Sequence, residues 1–292
     1  MVQIQSTDWS LDAASQDERA HWLAQLEHGK VLHFVQLPFL LQQQELAFVN
    51  ERYADPKRKN ISLNADGVTL LGATSDADAQ SHMRNLIARF RAQSLALVHA
   101  IAPNYRNAMR VAPTSLRLQA VQNRATSWRK DDSRLHVDAF PSRPNQGERI
   151  LRVFTNINPA GQPRVWRLGE PFEAMAQHML GHVPAYKPWQ ARMLHRLHVT
   201  KSLRSEYDHT MLHLHDQMKA DMVYQKNVAQ RTVSFAAGST WVCFSDQVSH
   251  AAMAGQYMLE QTLHLPVDKM HEPSRAPLHA LERMLGHSLM AA

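Results

Sequence analysis

Three residues carry the first hint of chemistry. His136 and Asp138 are separated by one position. In an extended strand, positions i and i+2 point to the same side, so an imidazole and a carboxylate would project together. His250 is a natural third ligand. It follows the Gly238-Ser239 turn, a strand-like run and the Ser245–Ser249 loop. Two histidines and one carboxylate, with the other positions open, form the ligand set of non-haem Fe(II) oxygenases. The open positions take a cosubstrate and dioxygen. Thiolates would point to zinc or a cluster, and Cys243 is the one cysteine.

The tripeptide alone is a weak signal. With 18 histidines in the chain, a chance His-x-Asp is expected about once. The context adds weight: a strand before it, a Pro-rich loop after it, and Gly-turn, strand and His in the second half. A rival cluster holds His195, His198, His209, His213 and His215. His209 and His213 have helical i, i+4 spacing but lie off the apolar face. No His-Glu-x-x-His surrounds them, so they read as solvated.

The elements that must place these ligands change texture along the chain. Residues 14–28 read as an amphipathic helix, followed by a short strand at 31–35. Residues 41–53 can be helical. Asp66-Gly67 between apolar runs suggests a hairpin over 60–71. Residues 76–101 form the longest helix candidate, with Met83, Leu86, Ile87 and Phe90 near the 3.6 period. From about Thr114 the runs become short and strand-like, at 116–121, 135–139, 150–156 and 164–168. Pro, Asn and Gly separate them. A helical insert is expected over 202–224, and strands return at 231–236, 239–244 and 256–265. The last helix, 276–289, begins after Ser274, a candidate cap, with Pro277 in its first turn.

The expected class is α+β with a mainly β core. Residues 1–112 serve as mostly helical support, 113–268 as the β core with its insert, and 269–292 as the terminal helix, all in one domain. Many short strands with turn signals argue for a sandwich or barrel.

Bulk properties exclude several classes. The 292 residues are 44% hydrophobic and 20% charged, which is ordinary for a globular chain and excludes a disordered one. One cysteine excludes an internal disulfide framework and suits a reducing compartment. No basic and apolar leader opens the sequence, and no run approaches the roughly 20 apolar residues of a membrane span. A cytoplasmic protein, or one peripheral on a membrane, is expected. The net charge of +6 permits an anionic partner without selecting one. A nucleic-acid partner is not expected, because interleaved aromatics and a recognisable motif are missing. There is no Gly-rich phosphate loop and no Gly-x-Ser-x-Gly.

Longer motifs bring a family into view. The segment Arg134-Leu-His-Val-Asp-Ala-Phe-Pro-Ser-Arg-Pro-Asn-Gln-Gly-Glu-Arg-Ile-Leu-Arg-Val-Phe-Thr-Asn-Ile-Asn-Pro159 continues into Arg164-Val-Trp-Arg-Leu-Gly-Glu170. It resembles the 3-deoxy-D-manno-oct-2-ulosonic acid (Kdo) hydroxylases of Gram-negative bacteria. Lys59-Asn-Ile-Ser-Leu63, Tyr207-Asp-His-Thr-Met-Leu and Val248-Ser-His-Ala-Ala-Met253 resemble the same family, so the likeness runs along nearly the whole chain. It implies a double-stranded β-helix, or jelly-roll, with helical support. It implies Fe(II) on His136, Asp138 and His250, with 2-oxoglutarate and O2 as cosubstrates. The reaction implied is hydroxylation of Kdo at C3 on a lipid A precursor, releasing succinate and carbon dioxide.

The resemblance also frames the anion sites. Many such oxygenases place an Arg some ten residues after the distal His. Here Gln256–His264 holds no Arg or Lys, which is a departure. Another branch uses a basic residue on the strand after His-x-Asp, and Arg152 occupies that place as the 2-oxoglutarate candidate. Its bland reading is an ion pair with Glu148 or another carboxylate. Arg117, Arg164 and Trp166 are the candidates for the sugar acid. Arg is suited because its fork grips carboxylates at two points. Arg164 and Trp166 share a face at strand spacing. The basic loop of Arg124, Arg129, Lys130 and Arg134 could meet lipid A phosphates or be solvated. Cys243 reads as a buried structural thiol. The apolar face of the last helix could touch the inner membrane, with packing on the core as the simpler role. Two alternatives stand: the same enzyme class acting on another acidic sugar or lipid, and a non-catalytic sugar- or lipid-binding jelly-roll.

Overall fold

A computed structural model describes residues 1–122 and 126–290, and among these it has eleven strands and eight α-helices. The strands are β1 (Val2–Ile4), β2 (Leu32–Phe34), β3 (Ile61–Leu63), β4 (Leu70–Leu71), β5 (Arg110–Arg117), β6 (Arg149–Asn156), β7 (Arg164–Leu168), β8 (Arg231–Phe235), β9 (Thr240–Phe244), β10 (His250–Ala254) and β11 (Met258–Leu265). The helices are α1 (Gln16–Glu27), α2 (Gln43–Leu46), α3 (Ala77–Ile101), α4 (Phe172–Met179), α5 (Pro188–Arg196), α6 (Glu206–Ala220), α7 (Met222–Asn227) and α8 (Pro277–Leu285).

Two sheets face each other. The large one has the order β1-β2-β9-β6-β11-β5-β3-β4, the small one β10-β7-β8. Period-2 alternation explains how the large sheet serves two environments. Leu151 and Val153 of β6, Val242 and Phe244 of β9, and Leu259 and Leu263 of β11 are buried in the helical core. Helices α1 and α3 cover that face. The alternate positions turn towards the small sheet, where Phe154 stacks on Trp241 and Trp241 on Phe235, with ring centroids 5.4 and 4.0 Å apart. Trp166 of the small sheet meets Phe154 edge-on at 5.0 Å. These rings fasten one end of the sandwich. The site lies directly beside them, where Phe154 and Trp166 join its otherwise polar lining.

Local signals explain several boundaries. Ser15 and Glu18 form a reciprocal capping box at α1. Asp76 caps α3 through the Ala79 N–H. The insert breaks at Asp221, whose carboxylate accepts from Val223 and Tyr224 and starts α7. Strands β7 and β8 pair antiparallel, with Leu168 opposite Arg231. The whole helical excursion of 169–230 thus leaves and returns at neighbouring positions.

Two expectations need correction. Residues 135–139 form no strand; they contribute a single bridge, His136 to His250. Ser274 caps nothing: it lies in a 3-10 turn, and α8 begins with Ala276 as N-cap and no side-chain bond. The apolar face of α8 takes the simpler of its two expected roles: Leu278 and Leu281 are buried against the core, and Leu289 after the helix is buried too, while Leu285 is 39% exposed.

Candidate metal centre

Backbone pairing sets the spacing of the two histidines. His136 donates its N–H to the His250 carbonyl at 3.0 Å, and His250 returns the bond at 2.9 Å. Residues that exchange both bonds of an antiparallel pair project to one side. Each ring is oriented from behind. The Nδ1–H of His136 donates to the Arg134 carbonyl at 2.7 Å, and that of His250 to the Val248 carbonyl at 2.8 Å. Both Nε2 lone pairs are left facing the site. Such carbonyl anchors fix the tautomer that a metal requires.

Asp138 completes the group. Its N–H donates to the Ser245 carbonyl at 2.8 Å, and its Oδ1 lies 3.8 Å from His136 Nε2. One ligand atom from each of the three residues falls within 4.8 Å of the others. Burial raises a carboxyl, but Arg152 and then the histidines outweigh it and hold Asp138 well below the usual range. Burial and the facing His250 push His136 well down, and burial lowers His250. The group is therefore an ionised carboxylate and two neutral imidazoles, which is the donor set of a divalent metal. The buried Asp138 Oδ2 has no hydrogen bond of good geometry, although Arg152 Nε is only 3.0 Å away. The residues fit iron.

A chain of charges runs outward from Asp138. Arg152 reaches Glu260 Oε1 with Nη1 at 2.8 Å. Glu260 Oε2 accepts from Arg117 Nε at 2.9 Å and Nη2 at 2.6 Å. Register explains the chain: Thr262 pairs with Arg152 and Met258 with Arg117, so Glu260 is diagonal to both on the inner face. Asp132 then pairs with Lys59, and Arg117 Nη1 lies 3.6 Å from it.

Arg164 differs from these. It is 3% exposed and has no carboxylate partner among the described residues. Its Nη1 donates to the Gly255 carbonyl at 3.0 Å, and its Nε is unpaired. Burial, then Arg117, push its guanidinium down. Gly255 is required there: its φ is +111°, and a Cβ would lie 2.9 Å from Arg164 Cα. Trp166 stacks on the His250 ring at 5.0 Å and 25°.

A cavity of about 180 Å³ joins these parts, lined by His136, Asp138, His250, Trp166 and four cations, Lys59, Arg117, Arg152 and Arg164. Only two carboxylates, Asp132 and Asp138, line it. Through Lys59, Arg117, Phe140 and Arg152 it opens into a cleft of about 880 Å³.

Of the rival histidines, His209 and His213 come together, with ring centroids 4.4 Å apart, but no third ligand joins them among the described residues. His209 meets the Pro184 carbonyl at 2.8 Å, and no second metal-type group exists among the described residues. His215 instead stands edge-on to His136 at 5.5 Å. Of the basic loop, Arg129 pairs with Asp216 and Arg134 with Asp131; Arg124 lies outside the described residues. Cys243 is fully buried, and burial pushes its thiol up.

The sequence reading missed Glu260, Asp132 and Gln225. The Gln225 amide accepts from the Leu135 N–H at 2.8 Å and donates to the Leu135 carbonyl at 2.9 Å. It serves as the missing strand partner beside His136. Alternation on β11 could have flagged Glu260, a lone carboxylate in an apolar strand.

The model of the 3-deoxy-D-manno-oct-2-ulosonic acid (Kdo) hydroxylase family matches residues 9–288. The chain belongs to the Kdo hydroxylase family. Solved members are close to it. The cobalt(II) complex of the Kdo hydroxylase KdoO, described as a non-haem Fe(II) α-ketoglutarate-dependent dioxygenase, is 42% identical with a TM-score of 0.96, covering 100% of this chain and 97% of that one. The complex of KdoO with α-ketoglutarate and Fe(III) is 42% identical, TM-score 0.94, covering 99% and 97%. The complex with succinate and Fe(III) is 41% identical, TM-score 0.95, covering 100% and 97%. A search of curated proteins gave no match. This Kdo hydroxylase family member is an Fe(II)/2-oxoglutarate-dependent dioxygenase by class, and its sandwich is the jelly-roll of that class. No helix is long and apolar enough to cross a membrane among the described residues.

Proposed function

We propose that this Kdo hydroxylase family member adds a hydroxyl at C3 of Kdo carried on a lipid A precursor. The iron would sit on His136, Asp138 and His250. Iron with 2-oxoglutarate and dioxygen supplies the oxidising power for a C–H hydroxylation, with succinate and carbon dioxide as by-products.

One observation carries the reading. The two-His, one-Asp group opens into a cavity with four cations against two carboxylates. Two of those cations share Glu260, yet the cavity still favours anions. A dicarboxylate cosubstrate and a sugar acid are anions of the right kind. Arg117 and Arg164 would grip the sugar carboxylate, Trp166 would offer its flat face, and Arg152 would take 2-oxoglutarate. The chain's part is to orient the reacting C–H and to exclude water.

One feature favours moving the 2-oxoglutarate role from Arg152 to Arg164. Arg152 is already neutralised by Asp138 and Glu260, whereas Arg164 has no carboxylate partner among the described residues. A buried cation without an anion is costly until a guest supplies one. Arg164 would then anchor 2-oxoglutarate, beside the Trp166–His250 stack, and Arg152 would steady Asp138.

The test is succinate release with Fe(II), 2-oxoglutarate and a Kdo-bearing lipid A precursor, the acceptor being weighed by mass spectrometry and its new hydroxyl placed by NMR. A gain of one oxygen at C3, absent in His136→Ala, is expected. Succinate without acceptor oxidation would keep the enzyme class and remove the acceptor.

A further inference from the structure

We infer that α5 and the segment after it form a docking surface for an anionic lipid bilayer, placed beside the mouth of the catalytic cleft. The surface exists whatever the acceptor; its purpose rests on the lipid-anchored acceptor proposed above.

The helix is inside out for a solvated element. It turns Ala191 and the half-buried Leu194 to the protein, while Trp189 and Met193 are 58% and 46% exposed. Leu197, one turn on, is 65% exposed, and Val199 is 54%. Trp189, Met193 and Leu197 are spaced i, i+4 and i+8, so they form one outward stripe. Soluble proteins seldom gather large apolar side chains on one exposed face without a partner.

Charge identifies the partner. The 32 residues 174–205 contain Lys187, Arg192, Arg196, Lys201 and Arg204 and no Asp or Glu. None of these five forms an ion pair among the described residues. An apolar stripe with Trp among basic side chains is the pattern of a helix lying in the plane of an anionic membrane surface.

Position links it to the site. Lys201 and Ser202 line the large cleft, as do Asn64, Ala65 and Asp66 on its other rim. That second rim carries Val68, 69% exposed. The α5 side is stitched to the loop after the metal motif: the Lys201 N–H donates to the Ser142 carbonyl at 2.9 Å, and Arg204 Nη2 to the Pro141 carbonyl at 2.7 Å. A bilayer under α5 would thus bring lipid head groups to the cleft.

The test is flotation of the iron-loaded chain with vesicles of phosphatidylethanolamine and phosphatidylglycerol, against vesicles of phosphatidylcholine alone. Binding to the anionic vesicles only, weakened by salt, is expected. Arg192→Gln and Arg196→Gln should each weaken it about fivefold, and Trp189→Ser with Met193→Ser and Leu197→Ser should abolish it. The triple variant should turn over a de-acylated acceptor like the parent but lose rate on the vesicle-embedded acceptor. The flotation arm needs neither acceptor nor turnover, so failure of the hydroxylase reading leaves it standing. Equal binding by parent and triple variant, no binding at low salt, or a parent dimer that the triple variant dissolves would overturn the inference.

Discussion

Arg152 holds a carboxylate at each end of its guanidinium: Nε lies 3.0 Å from Asp138 Oδ2 and Nη1 lies 2.8 Å from Glu260 Oε1. All three side chains are nearly buried. The metal-ligand candidate is thereby tied to the wall of the substrate cleft. Removing the cation leaves two buried carboxylates unopposed. Arg152→Met should cost about 3–5 kcal/mol of stability in urea unfolding. Adding Glu260→Met should recover part of that loss, since one stranded charge goes too. A loss under about 1 kcal/mol for the single variant would show that the pair carries little.

Metal should stabilise the fold through the three ligands and nothing else. Fe(II) added without oxygen, at about a hundred times its dissociation constant, corresponds to about 2.7 kcal/mol. That should raise the melting temperature by about 5 °C or more. His136→Ala, Asp138→Ala and His250→Ala should each erase the shift. An unchanged shift in any of them would remove that residue from the ligand set.

The assignment of the two arginines is separable by kinetics. If Arg164 anchors 2-oxoglutarate, Arg164→Met should raise its KM by about 10- to 100-fold, the worth of a hydrogen-bonded charge. Arg117→Met should act on the acceptor KM instead. The opposite pattern, with the 2-oxoglutarate KM moved by Arg152→Lys and not by Arg164→Met, returns the role to Arg152.

Gln225 is a positioning residue without contact to the reacting atoms. Gln225→Leu strips Leu135 of both its amide partners, at a cost of about 2–3 kcal/mol. By loosening the neighbouring His136 it should also weaken metal affinity about tenfold. Stability loss with unchanged iron affinity, read by competition with a coloured chelator, would confine Gln225 to a structural part.

Acid should weaken the fold through His264. Burial, then Arg110 and Arg152, push this imidazole down to about 4. In the unfolded chain it takes up its proton near pH 6.5, but in the fold not until about pH 4. Its contribution is therefore intact above pH 6.5 and is lost progressively from there down to 4. Between pH 7 and pH 5 the loss should be about 2 kcal/mol. His264→Asn should flatten that part of the pH–stability curve; an unchanged slope would count against it.

The sequence was most legible where its own periodicity spoke. The apolar recurrence along 76–101 marked α3, and β7 runs over the expected 164–168. His136, Asp138 and His250 could be grouped because spacing and chemistry agreed, and the fold does bring them together. What stayed hidden was pairing between distant segments. Nothing local says that Glu260 will sit diagonal to both Arg117 and Arg152, since that follows from two registers on β11. Nothing local says that Gln225 will stand in for a strand beside Leu135. The short α5 was missed for another reason: it carries its large apolar residues outward, so its pattern does not announce a core.

Leu168 and Arg231 lie side by side, and this bears on the order of folding. His136 and His250 are 114 positions apart (250 minus 136). Once β7 and β8 have zipped, the 62 residues of 169–230 no longer separate them along the shortest path. The entropy of joining the two histidines falls with that shortcut. Pairing of β7 with β8 before the His136–His250 bridge closes would therefore prepare the three-ligand group from a distance, and the refolding chain should gain metal affinity only once that bridge has closed.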